Sequence, residues 1–173
     1  MINNINALIS KGNGKLDKFQ MLGTNTTNNK FCHDRWLIAK EKNKKAGKVV
    51  DICGVCYSQK SLRGYRKATA TALDRNIFLA EKLLNDNEVK QFFFLQSHFR
   101  FQHHGDLITE LCDNEGNTIR KFSKFTMIEN FCRIAEHNPH CTFALWTKRK
   151  DIISKHFAKR QKPANLILIY SNL

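Results

Sequence analysis

The chain has 173 residues and a mass of 20.1 kDa, which is room for one domain of ordinary size. Hydrophobic residues make up 42% of it, enough to bury a core, and this argues against full disorder. Lys and Arg number 29 against 15 Asp and Glu, and the formal net charge of +14 favours a polyanionic partner, nucleic acid first.

The sequence predicts no membrane partner and no secretion. Its apolar runs are far shorter than the ~20 residues that span a bilayer. Residues 1–6 also lack the charged start and apolar stretch of a secretory signal. We therefore expect a cytoplasmic protein. Its six cysteines are then thiols or metal ligands rather than disulfides.

Residues 1–50 are predicted to form an irregular basic arm. Residues 1–30 are rich in Asn, Thr, Gly and Lys, and the Gly-Asn-Gly at 12–14 is typical of a loop. Residues 40–48 hold five Lys and one Glu. This composition predicts a mobile basic loop before the first regular element.

From residue 51 onward, helix and strand patterns alternate. We predict helices at 61–85, 123–136 and 152–160, strands at 91–102, 141–146 and 165–170, and a hairpin or extended loop at 107–121. Such alternation is typical of parallel β/α units. The expected fold class is α/β, a partial (β/α) barrel or a small open, mostly parallel sheet, in one domain over residues 1–173.

Three cysteines form the first candidate site. Cys53 and Cys56 stand in a CxxC spacing, which lets two thiolates chelate one metal centre, and Cys32 lies 21 positions upstream. Three ligands leave one position open on zinc or on a four-iron cluster, and spacing alone does not separate the two. Ordinary reduced thiols are the alternative.

The second candidate site follows the predicted strand at 91–102. Arg100, His103, His104 and Asp106 would lie at its carboxyl end, where parallel α/β folds bind ligands. They are candidates for a substrate, phosphate or metal site. The alternative is a hydrogen-bonded turn in which Gly105 supplies backbone freedom and Asp106 caps the next segment.

A Thr-Lys pair and two basic stretches complete the candidates. Thr147 and Lys148 follow another short strand, where a hydroxyl and an ammonium suit an anion, unless a solvated helix simply starts there. Two basic stretches predict nucleic-acid binding. The cations singled out are Lys42, Lys44, Lys45, Lys48, Arg63, Arg66, Lys67, Lys148, Arg149, Lys150, Lys155, Lys159 and Arg160.

Short segments in a common order resemble the bacteriophage "gene product 88" family and related radical-SAM-like phage proteins. The segments lie at 9–16, 32, 53–57, 99–107, 142–148 and 165–171. The resemblance implies a partial β/α barrel. It also implies that Cys32, Cys53 and Cys56 match the family's cysteines, that Arg100, Gly105 and Asp106 match its strand-end motif, and that Thr147 and Lys148 match its Thr-Lys pair.

Two departures from the family pattern bear on function. The cysteines lack the compact CxxxCxxC of typical radical SAM enzymes, and the chain ends after the strand at 165–170, as a shortened member would. A shortened barrel has an unpaired sheet edge that could form a homodimer or dock a partner.

Two functions of different classes follow. The favoured one is a small basic phage protein that binds a host nucleic acid or nucleoprotein complex in the bacterial cytoplasm, for instance as an anti-CRISPR inhibitor. The alternative is an iron–sulfur, SAM-dependent radical enzyme that modifies a nucleotide or nucleic acid, with Asp106 and Lys148 positioning ligands. A metal-dependent nuclease using His103, His104 and Asp106 ranks last, because only one carboxylate is nearby.

Overall fold

The computed structural model describes residues 8–11 and 19–171, and it is a mixed α/β structure. The strands are β1 (Ser10–Lys11), β2 (Gln20–Leu22), β3 (His98–Phe101), β4 (Glu110–Cys112), β5 (Thr118–Lys121), β6 (Thr142–Thr147) and β7 (Leu166–Tyr170). The helices are α1 (Lys30–Ala46), α2 (Tyr57–Arg63), α3 (Lys67–Asp74), α4 (Phe78–Glu81), α5 (Asp86–Lys90), α6 (Thr126–His137) and α7 (Lys150–Phe157).

The main sheet is open and mostly parallel. Its five strands lie in the order β1-β2-β3-β6-β7, with β1 antiparallel to β2 and the other four parallel. Strands β4 and β5 form a separate antiparallel pair. The predicted α/β class with an open sheet is confirmed, and the described strands do not close into a barrel.

One face of the sheet carries the core. Because side chains alternate across a strand, Phe99 and Phe101 of β3 point to the same face as Phe143 and Leu145 of β6, and all four are buried. Helix α6 covers this face, and Phe131 stacks on Phe101 at 4.1 Å between ring centres. The crossover helices α6 and α7 both contribute residues to this core. The opposite face of the sheet is therefore the one on which a site can form.

The strand predicted at 91–102 is wrong over residues 91–97. Only His98–Phe101 pair with neighbouring strands. The amide side chain of Asn138 replaces a strand partner here, because it accepts from the Phe94 N–H and donates to the Phe92 carbonyl. Phe92 and Phe94 therefore enter the core without a strand, which the aromatic density alone did not distinguish.

Three further predictions are corrected. The irregular arm predicted over residues 1–50 supplies β1 and β2 of the main sheet and the helix α1 among its described residues. The basic loop at 40–48 is helical as far as Ala46, where Gly47 ends α1 with a left-handed backbone. The single helix at 61–85 is instead a chain of shorter helices, since Gly64 ends α2 and Lys82 is extended after α4. The hairpin, the helices near 123–136 and 152–160, and the last two strands are confirmed with shifted ends.

Within the described ranges, no helix combines the length and the apolar character that crossing a bilayer requires.

Candidate functional site

A pocket of about 210 Å³ lies at the carboxyl ends of the parallel strands. It opens on the sheet face that carries Arg100 and Trp146, away from the core face. Every candidate catalytic residue and every candidate metal ligand lines it. These residues are Cys32, Cys53, Cys56, Arg100, His103, His104, Asp106 and Lys148.

The turn after β3 forms the wall of the pocket and has an unusual backbone. Gln102 has φ of 60°, which non-glycine residues rarely adopt, and its N–H donates to the Leu22 carbonyl at 2.7 Å. Gly105 has φ of 74°, and its hydrogen faces Thr24 so closely that a Cβ would lie 2.1 Å from the Thr24 hydroxyl. The turn therefore requires glycine at 105.

Gly105→Ala is expected to destabilise the protein. The left-handed backbone costs roughly 1–2 kcal/mol for a residue with a Cβ, and the clash with Thr24 adds to it. Urea denaturation gives the free energy of unfolding. Gly47→Ala is the control, since it has φ of 65° but open space around its hydrogen. An equal loss in both variants would contradict the close packing of Gly105 on Thr24.

Asp106 joins the turn to the end of β6. Its buried carboxylate accepts from the Thr147 hydroxyl at 2.5 Å, from the Lys148 N–H at 2.7 Å and from the Leu107 N–H at 2.8 Å. Burial raises its pKa, and these three donors oppose that shift. Both carboxylate oxygens of Asp106 accept hydrogen bonds from the protein, so this residue holds the ends of β3 and β6 together. Its bond to the Leu107 N–H is the cap on the next segment that the turn alternative predicts.

The two histidines are neutral in the fold. Burial lowers the pKa of both His103 and His104 to about 4. Neighbouring arginines lower both pKa values further, and His104 also lowers the pKa of His103. The His104 Nδ1 lies 2.6 Å from the Ser58 hydroxyl, and the ring stacks on Tyr57 at 6.4 Å between centres. His104 thus links the sheet edge to α2.

This shift predicts a pH dependence of stability. An imidazole in the unfolded chain titrates near pH 6.5, so between pH 6.5 and 4 the unfolded state binds more protons. The free energy of unfolding should therefore fall as the pH drops through this window, by on the order of 3 kcal/mol for each of the two histidines. Urea denaturation between pH 7 and pH 4 measures the slope. His103→Asn with His104→Asn should flatten it, whereas His137→Asn outside the pocket should not; an unchanged slope in the double variant would contradict the assignment.

Arg100 and His103 each have a buried polar atom without a partner. The Arg100 Nε and the His103 Nδ1 make no hydrogen bond within the described part of the chain. The Arg100 guanidinium lies 4.6 Å from the centre of the Trp146 ring, and burial lowers its pKa. A buried unpaired donor or acceptor costs about 1–3 kcal/mol, so both atoms point to a ligand.

The three candidate cysteines converge on the pocket without forming a single-ion site. Cys32, Cys53 and Cys56 all line it, and burial raises the pKa of the Cys32 and Cys53 thiols, so these two are protonated at neutral pH. Among residues 8–11 and 19–171, no three His, Cys, Asp or Glu side chains are arranged to hold one metal ion. The remaining cysteines are buried elsewhere as free thiols.

A basic–aromatic surface lies beside the pocket on α1, α2 and the start of α3. It consists of Trp36, Lys40, Lys44, Tyr57, Lys60, Arg63, Tyr65, Arg66 and Lys67. Two cations lie over the Trp36 ring, with the Lys40 ammonium 4.6 Å and the Arg63 guanidinium 5.0 Å from its centre. Arg66 contacts both Tyr57 and Tyr65 in the same way, at 5.9 and 5.6 Å. These contacts join α1 to α2 through Trp36 and Arg63, and α2 to the turn after it through Arg66.

Charge concentrates around this surface. Residues 30–75 hold twelve Lys or Arg and four Asp or Glu, so they carry eight of the fourteen net positive charges. Three of the four acids have partners within the fold: Asp34 pairs with Lys30, Asp51 with Arg35, and Asp74 accepts from Asn25 and Asn28. Lys42, Lys45 and Lys48, also predicted to bind nucleic acid, are exposed on or just after α1.

Most cations of the second predicted basic stretch make contacts within the protein. Arg149 is buried and bonds Asp151 and the Leu107 carbonyl. Arg160 pairs with Glu129 and Glu136. Lys148 reaches Ser171, and Lys150 lies over the Tyr170 ring. Lys155 and Lys159 are the two exposed cations of that stretch that remain for a partner.

The aromatic members of the site were not predicted. Trp36 and Trp146 line the pocket, and Tyr57 and Tyr65 are 57% and 74% exposed. The signal that could have found the tyrosines is their spacing among cations, Tyr-x-x-Lys-x-x-Arg-x-Tyr-Arg-Lys over residues 57–67. Aromatic residues interleaved with cations are typical of nucleic-acid interfaces.

No family model, curated protein or solved structure matches this chain. The resemblance to the gene product 88 family therefore stays a prediction, and the chemistry of the pocket and of the basic–aromatic surface carries the functional proposal.

Proposed function

We propose that this protein binds single-stranded nucleic acid, free or displayed by a nucleoprotein complex, through the basic–aromatic surface. The observation that supports this most strongly is the pair of exposed tyrosines joined by Arg66. Bases of a single strand can stack on such rings, whereas the paired bases of a duplex cannot, and each stacked base contributes about 1–3 kcal/mol. The flanking lysines and arginines then neutralise phosphates.

The proposed biological setting rests on the resemblance to phage proteins. A small phage protein that covers single-stranded nucleic acid of a host complex would act as an inhibitor by occupancy, without turnover, in the bacterial cytoplasm. Counter-defence against a nuclease–guide complex is one such role. Strand β7 lies at an edge of the described sheet, and pairing of two such edges is the proposed route to a homodimer.

The test is fluorescence anisotropy with a labelled single strand and the matching duplex. We expect the single strand to bind more tightly, and Tyr57→Ala with Tyr65→Ala to weaken it by roughly 10- to 100-fold. Tyr57→Phe with Tyr65→Phe is the matched control, because it keeps the rings and should keep the affinity. Equal loss in both double variants, or tighter binding of the duplex, would overturn the stacking mode.

A second function is favoured by the convergence of three thiols on one cavity. A four-iron cluster is larger than one ion, and Cys32, Cys53 and Cys56 supply three of its four ligands. When bound, a cluster would supply one-electron reduction, the chemistry of a SAM-dependent radical enzyme. The three cysteines would hold it, and Asp106 would continue to hold the strand ends beside it.

Iron content after anaerobic purification tests this second function. If it is right, Cys53→Ser with Cys56→Ser releases the iron and lowers the melting temperature. Cys112→Ser with Cys141→Ser changes two buried cysteines outside the pocket and should retain the iron. Unchanged metal content in the first variant would show that Cys53 and Cys56 are ordinary thiols.

A further inference from the structure

Both tryptophans of the chain line the pocket. Trp36 comes from α1 and Trp146 from the end of β6, and Phe31 adds a third aromatic side chain. Three aromatic side chains in the lining of one cavity suit a flat ligand such as a nucleobase. The cavity therefore offers stacking contacts as well as polar ones.

The charge that the pocket presents is positive. Arg35 is paired with Asp51, and the Asp106 carboxylate is covered by three protein donors. Arg100 and Lys148 have no carboxylate partner within the described part of the chain, and Lys148 donates to the oxygens of Ser171. A ligand with a negative group would therefore meet two cations here.

Two buried atoms lack the hydrogen bonds that such a ligand would supply. The Arg100 Nε is a donor that suits a phosphate oxygen, and the His103 Nδ1 suits a polar edge of a base or sugar. Gly23 leaves room for the His103 ring, because a Cβ there would lie 2.7 Å from its Cε1 and Nδ1. The His103 ring therefore packs directly on the Gly23 backbone, and the Arg100 Nε is the stronger of the two indications of a ligand.

The cavity is small for a whole nucleotide. At about 210 Å³ it is below the roughly 300–1,000 Å³ of sites that bury drug-sized ligands, so a nucleotide would lie partly outside it. We infer that the pocket binds one phosphate-bearing nucleotide, with its phosphate at Arg100 and Lys148 and its base against the tryptophans. This nucleotide is either a free mononucleotide or the terminal nucleotide of a bound strand. Only the second possibility rests on the proposed function, binding of a single strand.

Tryptophan fluorescence measures the binding directly, since both tryptophans lie at the pocket. We expect AMP to change the emission saturably, and to bind roughly 10- to 100-fold more tightly than adenosine, the loss typical of a charge-assisted contact. Inorganic phosphate should bind more weakly than AMP. Equal affinities for AMP and adenosine, or no saturable change with AMP, would overturn the inference.

Variants then locate the phosphate. Arg100→Gln should bring the AMP affinity closer to that of adenosine, with Lys148 keeping part of the difference, and Arg100→Lys should restore part of the loss. Lys155→Gln, which removes one exposed cation outside the pocket, should leave AMP binding unchanged. Near-UV circular dichroism shows whether each variant keeps the native packing. If Arg100→Gln is folded and binds AMP like the wild type, the phosphate assignment is wrong.

Oligonucleotides distinguish the two sources. A strand with a 5′-phosphate that binds at least tenfold more tightly than the 5′-hydroxyl strand, with the difference reduced in Arg100→Gln, indicates a strand terminus. Equal binding of the two strands, with AMP still saturable, assigns the pocket to a free mononucleotide. If no oligonucleotide binds while AMP does, the proposed function fails and the pocket inference stands.

Discussion

Replacing Lys60, Arg63, Arg66 and Lys67 with glutamine is expected to weaken binding of a single-stranded oligonucleotide by roughly 100-fold at moderate salt. These four cations lie on α2, on α3 and in the turn between them, and Arg66 also holds the two exposed tyrosines. Each phosphate contact releases condensed counterions, so their loss should also flatten the salt dependence. The slope of log K against log salt should fall by about 2.8 in magnitude if all four contact phosphates, at about 0.7 per contact on a single strand.

The control makes the same change in net charge elsewhere. Lys90, Lys121, Lys155 and Lys159 are exposed and lie outside the basic–aromatic surface. Their replacement with glutamine should cost less than tenfold, because they affect the strand only through the long-range field, which salt screens within about 10 Å. Equal losses of affinity in the two quadruple variants would mean that binding depends on total charge and that the basic–aromatic surface is not the binding site.

Asp106→Ala is expected to lower the free energy of unfolding by about 3–5 kcal/mol. The substitution leaves the buried N–H groups of Leu107 and Lys148 and the Thr147 hydroxyl without their acceptor. It also frees the turn after β3 from the end of β6, so the pocket should lose its shape. Urea denaturation at pH 7 measures the stability, and tryptophan fluorescence reports the pocket.

Asp113→Ala provides the matched comparison. Asp113 is also an acceptor in a turn, where it accepts from Asn117, but those bonds are exposed to water. Its loss should cost far less than that of Asp106, because water replaces the missing partner. If Asp106→Ala costs no more than Asp113→Ala, the carboxylate does not organise the sheet edge.

The location of the pocket could be predicted from the sequence, because the carboxyl ends of parallel strands meet at one edge. This placed Arg100, His103, Asp106 and Lys148 correctly relative to β3 and β6. The order of helices and strands after residue 120 could also be predicted, because the apolar segments there are short and well separated. The spacing of apolar residues was sufficient to predict helices and strands wherever buried and exposed positions alternate regularly.

Other features depend on tertiary contacts that no local pattern shows. The aromatic run at 91–97 resembles a strand, but the Asn138 side chain takes the place of the neighbouring strand. The lysines of 40–45 resemble a loop, yet they form the exposed side of a helix. Asn43 anchors the chain after that helix, because its side chain accepts from the Val50 and Asp51 N–H groups. The burial of Arg149 could not be predicted either, because its partner Asp151 is a single acid within a stretch of cations.

The pocket and the surface are connected through α1 and α2. Trp36 belongs to both, and Tyr57 of the surface stacks on His104 of the pocket. A strand lying along the surface would therefore lie next to the pocket. This adjacency explains why one polyanionic ligand can account for both the charge distribution and the unpaired polar atoms.

Photocrosslinking tests the central claim most directly. A single strand substituted with 5-iodouracil is irradiated with the wild-type protein, and the adducts are mapped by mass spectrometry. The account predicts adducts at Tyr57 and Tyr65, with Trp36 as a further site, and their loss when excess unlabelled single strand is added. Adducts confined to α7, or spread evenly over exposed aromatic residues such as Phe93, would contradict it.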